Sequence, residues 1–296
     1  MVKTLFLATR PRYLLLSVLL VCLGGSLARN YGSFQWPLFW LCLLGLVLLH
    51  ISANVLNDYF DYSSGIDLET QRTPFNGGSG FLNEGLLQPR QMLVFGLSAF
   101  ALAIPIGGYL VAKTGWLLLP LFLTGSALAI FNTSYITRLG FGLGELSAGF
   151  GLGALPVFGT AWILHGKPEP GFVLAAVPSA LWVFNLLLLN EFPDEWADQR
   201  GGRKTLVIQL GFVRAWWVYA VLSALAYVWI AAAVLIGALP VQCGLVFLSL
   251  PFAAKAIALS RKPDFGRDFA RAQGSNVGLV LSGHGLLALG YWLAAA

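Results

Sequence analysis

An all-α polytopic membrane protein with nine transmembrane helices is the fold class this sequence predicts. Three observations carry that expectation. Of the 296 residues, 57% are hydrophobic and only 10% charged, whereas about a quarter of an ordinary soluble domain is charged. Nine apolar runs come near the ~20 residues that a helix needs to cross a bilayer. The basic residues gather in alternate connections between those runs, the pattern that sets orientation in a membrane. The chain reads as one domain, 1–296.

The runs lie at roughly 11–28, 36–57, 91–112, 116–136, 143–164, 171–192, 213–237, 240–260 and 276–295. The first follows Arg10-Pro11-Arg12 and lacks a convincing cleavage site, so it reads as a retained helix. Short connections such as Lys113-Thr114-Gly115 and Gly237-Ala238-Leu239 make their flanking helices antiparallel neighbours, while 58–90 and 193–212 are the polar connections. With the N-terminus inside, fifteen of the eighteen Lys and Arg residues fall on inner segments; only Arg29, Lys113 and Lys167 fall outside. The N-terminus is therefore expected in the cytoplasm and the C-terminus outside, in a prokaryotic cell membrane. The net charge of +5 belongs to this orientation pattern and implies no nucleic-acid partner. Cys22, Cys42 and Cys243 sit in apolar runs without CxxC spacing and read as core residues. His50, His165 and His284 are scattered and read as structural or interfacial.

Each polar connection opens with an acidic ladder. Asn54, Asp58 and Asp61 are spaced i, i+4, i+7, which places them on one helix face. Asn190, Asp194 and Asp198 repeat the four-residue spacing after the sixth run, where Pro193 is expected to kink or end the helix. Acids at a helix C-terminus oppose the macrodipole, so capping does not explain them, and carboxylates at membrane depth are functional by default. The orientation puts both ladders on the cytoplasmic side. Facing carboxylate ladders suit a hard divalent cation; Mg²⁺ characteristically takes a few carboxylates together with phosphate oxygens and waters.

Basic residues beside carboxylates suit a diphosphate. Arg72 follows the first ladder; Arg200 and Lys204 follow the second, with Arg203 between them read as ordinary orientation charge. Gly77-Gly78-Ser79-Gly80 either lines a phosphate with backbone amides or forms a flexible lid. Asp67 either extends the first acidic set or solvates the loop. The glycine run from Gly140 to Gly153 lacks the strand–turn–helix context of a nucleotide fingerprint and reads as a close helix–helix contact. Arg138 either pairs with Glu145 or faces the pocket, and Tyr135 ends the fourth helix on the same side. Among Tyr59, Phe60, Tyr62, Phe131, Tyr135, Trp182, Phe184 and Trp196, those beside the ladders are placed to stabilise a carbocation.

Taken together, these motifs resemble the UbiA superfamily of intramembrane aromatic prenyltransferases. The resemblance is carried by Asn54-Val55-Leu56-Asn57-Asp58-Tyr59-Phe60-Asp61, by Gly142-Leu143-Gly144-Glu145, and by Asp194 to Asp198 followed by Lys204-Thr205-Leu206. It runs over nearly the whole chain. It implies a helical bundle around a central cavity, open sideways to lipid and capped by cytoplasmic loops after helices 2 and 6. It also implies that Asn54, Asp58, Asp61, Asp194 and Asp198 bind Mg²⁺ and a prenyl diphosphate, with Asn57 and Asn190 in the same motifs. Ser63-Ser64-Gly65-Ile66-Asp67 is similar to the menaquinone-pathway branch, which prenylates 1,4-dihydroxy-2-naphthoate. Branches acting on phenols, tetrapyrroles or glycerol lipids are the alternative. The partners so implied are a polyprenyl diphosphate, an aromatic acceptor and the lipid bilayer, with no obligatory protein partner. A transporter with intramembrane carboxylate ion sites is the rival from another class. Against it, the acids lie at one end of the helices, not at mid-membrane, and basic residues accompany them.

Overall fold

The computed structural model describes residues 2–70, 72–73 and 75–295. Among the described residues nine helices are long and apolar enough to cross a membrane: α1 Pro11–Asn30, α2 Trp36–Ser63, α3 Pro89–Thr114, α4 Trp116–Leu139, α5 Leu143–His165, α6 Gly171–Glu191, α7 Phe212–Leu235, α8 Val241–Leu259 and α9 Arg267–Ala294. Short helices at Val2–Ala8, Ile66–Glu69, Glu195–Arg200 and Leu206–Leu210 flank them. Proline in the first turn opens α1, α2 and α3, where its missing N–H costs no helical hydrogen bond. Glycines at positive φ close α3 and α5, at Gly115 and Gly166.

Two helices outrun their apolar runs, for packing reasons. α2 continues to Ser63 because its last turns, polar by composition, bury Asp58 and Asp61 against protein. α9 begins at Arg267, where the early turns bury Phe269 and Gln273 and set the Phe269 ring against Phe192. The sixth helix ends at Glu191, and the chain turns through Phe192–Asp194 before a new short helix starts at Glu195. Pro193 thus breaks the second acidic ladder in two, so Asn190 and Asp198 are not on one helix.

The main core lies among α1 and α5 to α9, around Leu20, Trp182, Tyr227 and Tyr291. Along the α5–α6 contact a Cβ on Gly149 would meet the Ala180 carbonyl at 2.7 Å, and one on Gly153 would meet the Ser179 carbonyl at 2.8 Å. Any larger side chain would push these backbones apart. α4 contributes little to that core, with only 6% of its apolar window buried. It stands instead over a cavity of about 750 Å³, walled by α1 to α6 and α9. Wide π-turns at Asn132–Ile136 in α4 and Gly149–Ala154 in α5 put Asn132, Thr133 and Gly151 on the cavity wall. Such turns recur where a helix is bent to serve a site.

Candidate active site

One end of the cavity is polar. On α2, Asn54, Asn57 and Asp61 line it, with Asp58 buried just behind. Asn54 Nδ2 donates to the Thr9 carbonyl at 3.0 Å. Asn57 Nδ2 donates to Asp61 at 3.0 Å and to Thr133 Oγ1 at 3.1 Å. The last two turns of α2 are therefore tied both to the N-terminal segment and to α4.

Two arginines complete this end, and neither was legible as a site residue in the sequence. Arg10 has φ +54, a left-handed backbone that an L side chain adopts at a cost. That conformation turns its guanidinium onto Asp58 and, at 3.0 Å, onto Asn57 Oδ1. Arg203 lies between the two acidic motifs, pairing with Asp61 on one side and with Asp198 at 2.8 Å on the other. It is a half-buried crosslink, not a surface orientation charge. Burial opposes charge on both guanidiniums, but their carboxylate partners prevail and hold them above the ordinary arginine value.

Between α2 and α3, residues 75–79 reach both acidic motifs. Asn76 Nδ2 donates to Asp194 at 2.5 Å, and the Ser79 N–H points at both Asp58 oxygens at 3.2 Å. Gly77 and Gly78 line the cavity with positive φ. A Cβ on Gly78 would come within 2.9 Å of Asp67 and 3.0 Å of Asp58. Only glycine lets the loop pass so close to both acids. Asp67 accordingly joins the first acidic set and does not merely solvate the loop; it is buried. Burial, and then the charges of Asp61 and Asp58, push its carboxyl up to about 7. Burial, followed by Asp198, likewise pushes Asp194 up to about 7, and Asp198 is raised by burial against the pull of Arg203.

Of the residues expected from sequence, the structure gathers Asn54, Asn57, Asp58, Asp61, Asn190, Asp194 and Asp198 at this end. It does not bring the others to the cavity. Arg72 is held on the outside of the loop by Glu84 at 3.0 Å and the Ser79 carbonyl at 2.6 Å. Arg200 stacks on Trp196 and pairs with Glu69 at the surface. Arg138, Lys204 and Tyr135 are exposed. Glu145 is buried and accepts the Leu206 N–H at 2.6 Å, fixing the start of the helix after the second motif instead of pairing with Arg138. The cavity's aromatic faces are Tyr13, Phe75, Phe100, Trp116 and Phe122, none of them among the aromatics singled out in the sequence. Beyond the polar end the wall is apolar, through Leu46, Leu110, Leu121, Leu128, Leu155 and Leu187.

The donor set is all oxygen, from carboxylates and side-chain amides, which fits a hard cation such as Mg²⁺. Among the described residues no three acidic, His or Cys side chains converge tightly enough to cage an ion alone.

The chain matches the UbiA prenyltransferase family over residues 18–277. It is 31% identical to the 1,4-dihydroxy-2-naphthoate octaprenyltransferase of Bacillus subtilis, over 86% of this chain and 81% of that protein. It is 28% identical to the Escherichia coli protein of the same description, over 70% of this chain and 68% of the other. The fold is shared with an apo UbiA homolog from Aeropyrum pernix, with TM-score 0.73, 20% identity and coverage of 94% and 96%. It is also shared with an Archaeoglobus fulgidus UbiA homolog bound to DMAPP and Mg²⁺, with TM-score 0.63, 13% identity and coverage of 94% and 99%.

Proposed function

The chain belongs to the UbiA prenyltransferase family, and on that footing we propose that it transfers a polyprenyl group from an allylic diphosphate to 1,4-dihydroxy-2-naphthoate, with Mg²⁺ at the acidic end of the cavity. The observation that carries this reading is the cavity's division into two chemistries. One end concentrates Asp61, Asp194, Asp198, Arg10 and Arg203, and the remainder is a long apolar channel. A prenyl diphosphate has the same division, a highly charged head and a hydrocarbon tail.

Asp58, Asp61, Asp194 and Asp198, with Asn54, Asn57 and Asn190, are the residues that would hold the metal and the head group. When bound, Mg²⁺ supplies positive charge to the diphosphate oxygens as the leaving group forms. Arg10 and Arg203 are positioned by their carboxylates to add to that field, which matters most in a site with little water. The allylic C–O bond breaks with its electron pair going to diphosphate. Tyr13 and Phe75, on the cavity wall near the polar end, offer π faces to the allylic cation. A ring carbon of the acceptor forms the new C–C bond, and the carboxyl group leaves that carbon as CO₂, returning its bonding pair to the ring. Arg12 lines the cavity mouth and is exposed. Arg12, not Arg138, lines the cavity and is the cation suited to draw in the acceptor's carboxylate. The fifteen-to-three distribution of basic residues supports a cytoplasmic N-terminus and an external C-terminus, which puts the acidic end on the side where diphosphates are soluble.

A competition assay tests the acceptor. Carboxyl-labelled 1,4-dihydroxy-2-naphthoate is supplied with 4-hydroxybenzoate and homogentisate to the purified protein and a polyprenyl diphosphate. Labelled CO₂ matched by a prenylated naphthoquinol is the expected result. Product only from a phenolic acceptor would assign the enzyme to another branch.

A further inference from the structure

We propose that His50, held by Ser17, is a contact for an oxygen substituent of the aromatic acceptor. The inference rests on the prenyltransferase reading above and adds to it a residue that fixes where the acceptor lies. The protein has two buried histidines, and they are engaged differently. His284 has both ring nitrogens engaged, Nε2 with Ser179 Oγ at 2.8 Å and Nδ1 with the Val280 carbonyl at 2.6 Å. It packs on Trp182 and takes no part in the cavity wall. That is a histidine whose hydrogen-bonding capacity is spent on structure.

His50 is also buried, though at 6% exposure against 0% for His284, and is differently engaged. Its Nδ1 meets Ser17 Oγ at 2.8 Å, the one hydrogen bond the ring makes among the described residues, which leaves Nε2 to the cavity side. Ser17 is fully buried and lies off the cavity, whereas His50 is part of the cavity wall. The Ser17 contact therefore points one edge of the ring into the protein and turns the other towards the cavity. The Ser17 hydroxyl has one acceptor in reach among the described residues, His50 Nδ1. Its proton then goes to Nδ1, and the ring hydrogen resides on Nε2. The cavity thus receives a single N–H donor on an otherwise apolar stretch of α2, whose neighbours on the wall are Leu46, Leu49 and Ala53.

The position suits the acceptor, not the diphosphate. His50 precedes Asn54 by one turn and Asp58 by two on α2, or about 6 and 12 Å along the axis at 1.5 Å per residue. It lies on the tail side of the head-group site, where the first carbons of a prenyl chain emerge. Tyr13 and Leu16, the neighbouring wall residues from α1, offer an aromatic face and an aliphatic floor. Tyr13 spends its hydroxyl on the Phe75 carbonyl at 3.2 Å. A ring lying there presents its hydroxyl or carboxylate oxygen to His50 Nε2–H. A prenyl tail has no oxygen to offer, and leaving the donor unmatched costs binding. The pair therefore selects for an oxygenated ring at the point of bond formation.

The test uses full-length protein in detergent with Mg²⁺, polyprenyl diphosphate and 1,4-dihydroxy-2-naphthoate, comparing wild type with His50→Phe, His50→Gln and Ser17→Ala. His50→Phe is expected to lower kcat/KM for the acceptor about tenfold, the effect of one lost hydrogen bond. The KM for the diphosphate and the melting temperature should stay unchanged. His50→Gln, which keeps an N–H near the same place, should recover most of the loss, and Ser17→Ala should shift acceptor KM in the same direction by less. Acceptor kinetics unchanged in His50→Phe would overturn the inference while leaving the prenyltransferase standing. An equal loss for donor and acceptor that His50→Gln does not rescue would reduce His50 to packing and overturn it too. A wild-type protein that alkylates no aromatic acceptor would overturn both.

Discussion

Replacing Arg203 with methionine removes one guanidinium that serves two buried carboxylates. Its side chain is 12% exposed, against 10% for Asp61 and 2% for Asp198, so solvent screens the pairs poorly. Breaking a buried pair by removing one partner costs about 3–5 kcal/mol, because the partner is left charged and desolvated. Here the orphaned acids have an escape. The carboxyl of Asp198, already raised by burial, rises further without Arg203 and takes up a proton. The variant then binds more protons when folded than wild type does, so its deficit is largest at alkaline pH and shrinks as pH falls. Thermal unfolding followed by tryptophan fluorescence in detergent, at about pH 8 and pH 6, measures this directly. Arg203→Met is expected to be strongly destabilised at the higher pH and less so at the lower. Adding Asp198→Asn should restore part of the loss, with a coupling of at least about 1.5 kcal/mol in the double-mutant cycle. Additive effects, or a deficit independent of pH, would mean that Arg203 does not bridge the two motifs.

Three further outcomes follow from the same geometry. Asp58→Ala and Asp194→Ala should each abolish turnover in protein that still inserts and purifies, with the double variant scarcely worse than either alone, because they act on one metal–diphosphate unit; turnover in either single variant, measured as product by mass spectrometry, would count against the site. Asp194 carries a carboxyl raised to about 7, and cation binding needs it charged, so Mg²⁺ affinity by calorimetry should climb as pH rises through about 7 and level off above it; a flat profile from about pH 6 to 8 would contradict its part in binding. Reporter fusions after Lys204 and Arg271 should read cytoplasmic and a C-terminal fusion external; an external reading after Lys204 would separate the second motif from soluble diphosphate.

The architecture was legible because hydropathy records what lipid demands. All nine spans appear where the apolar runs lie, and α2 and α9 run furthest beyond them, on turns held by packing against protein. The first ladder was legible because helical spacing alone puts Asn54, Asp58 and Asp61 on one face. The second was legible as a set of residues but not as a helix, since Pro193 ends α6 and a separate short helix carries Asp198. The cations were not legible. Arg200, Arg203 and Lys204 are near neighbours in sequence, and which one turns inward depends on a loop bent by Gly202 at φ +83. Arg10 meets Asp58 across 48 residues, and Asn76 meets Asp194 across 118. No local spacing encodes such contacts; the one local trace is the strained backbone at Arg10, visible only once folded.

On the proposed function, a diphosphate held at the acidic end loses its prenyl group to an aromatic ring in the cavity. Purified protein in detergent, with no membrane gradient, tests it when given a polyprenyl diphosphate, 1,4-dihydroxy-2-naphthoate and Mg²⁺, with prenylated product and released diphosphate counted together. Equal amounts of the two are expected, both lost on adding EDTA and regained with Mg²⁺. Diphosphate released without prenylated product, or neither formed while proteoliposomes carry an ion or solute across the bilayer, would contradict it.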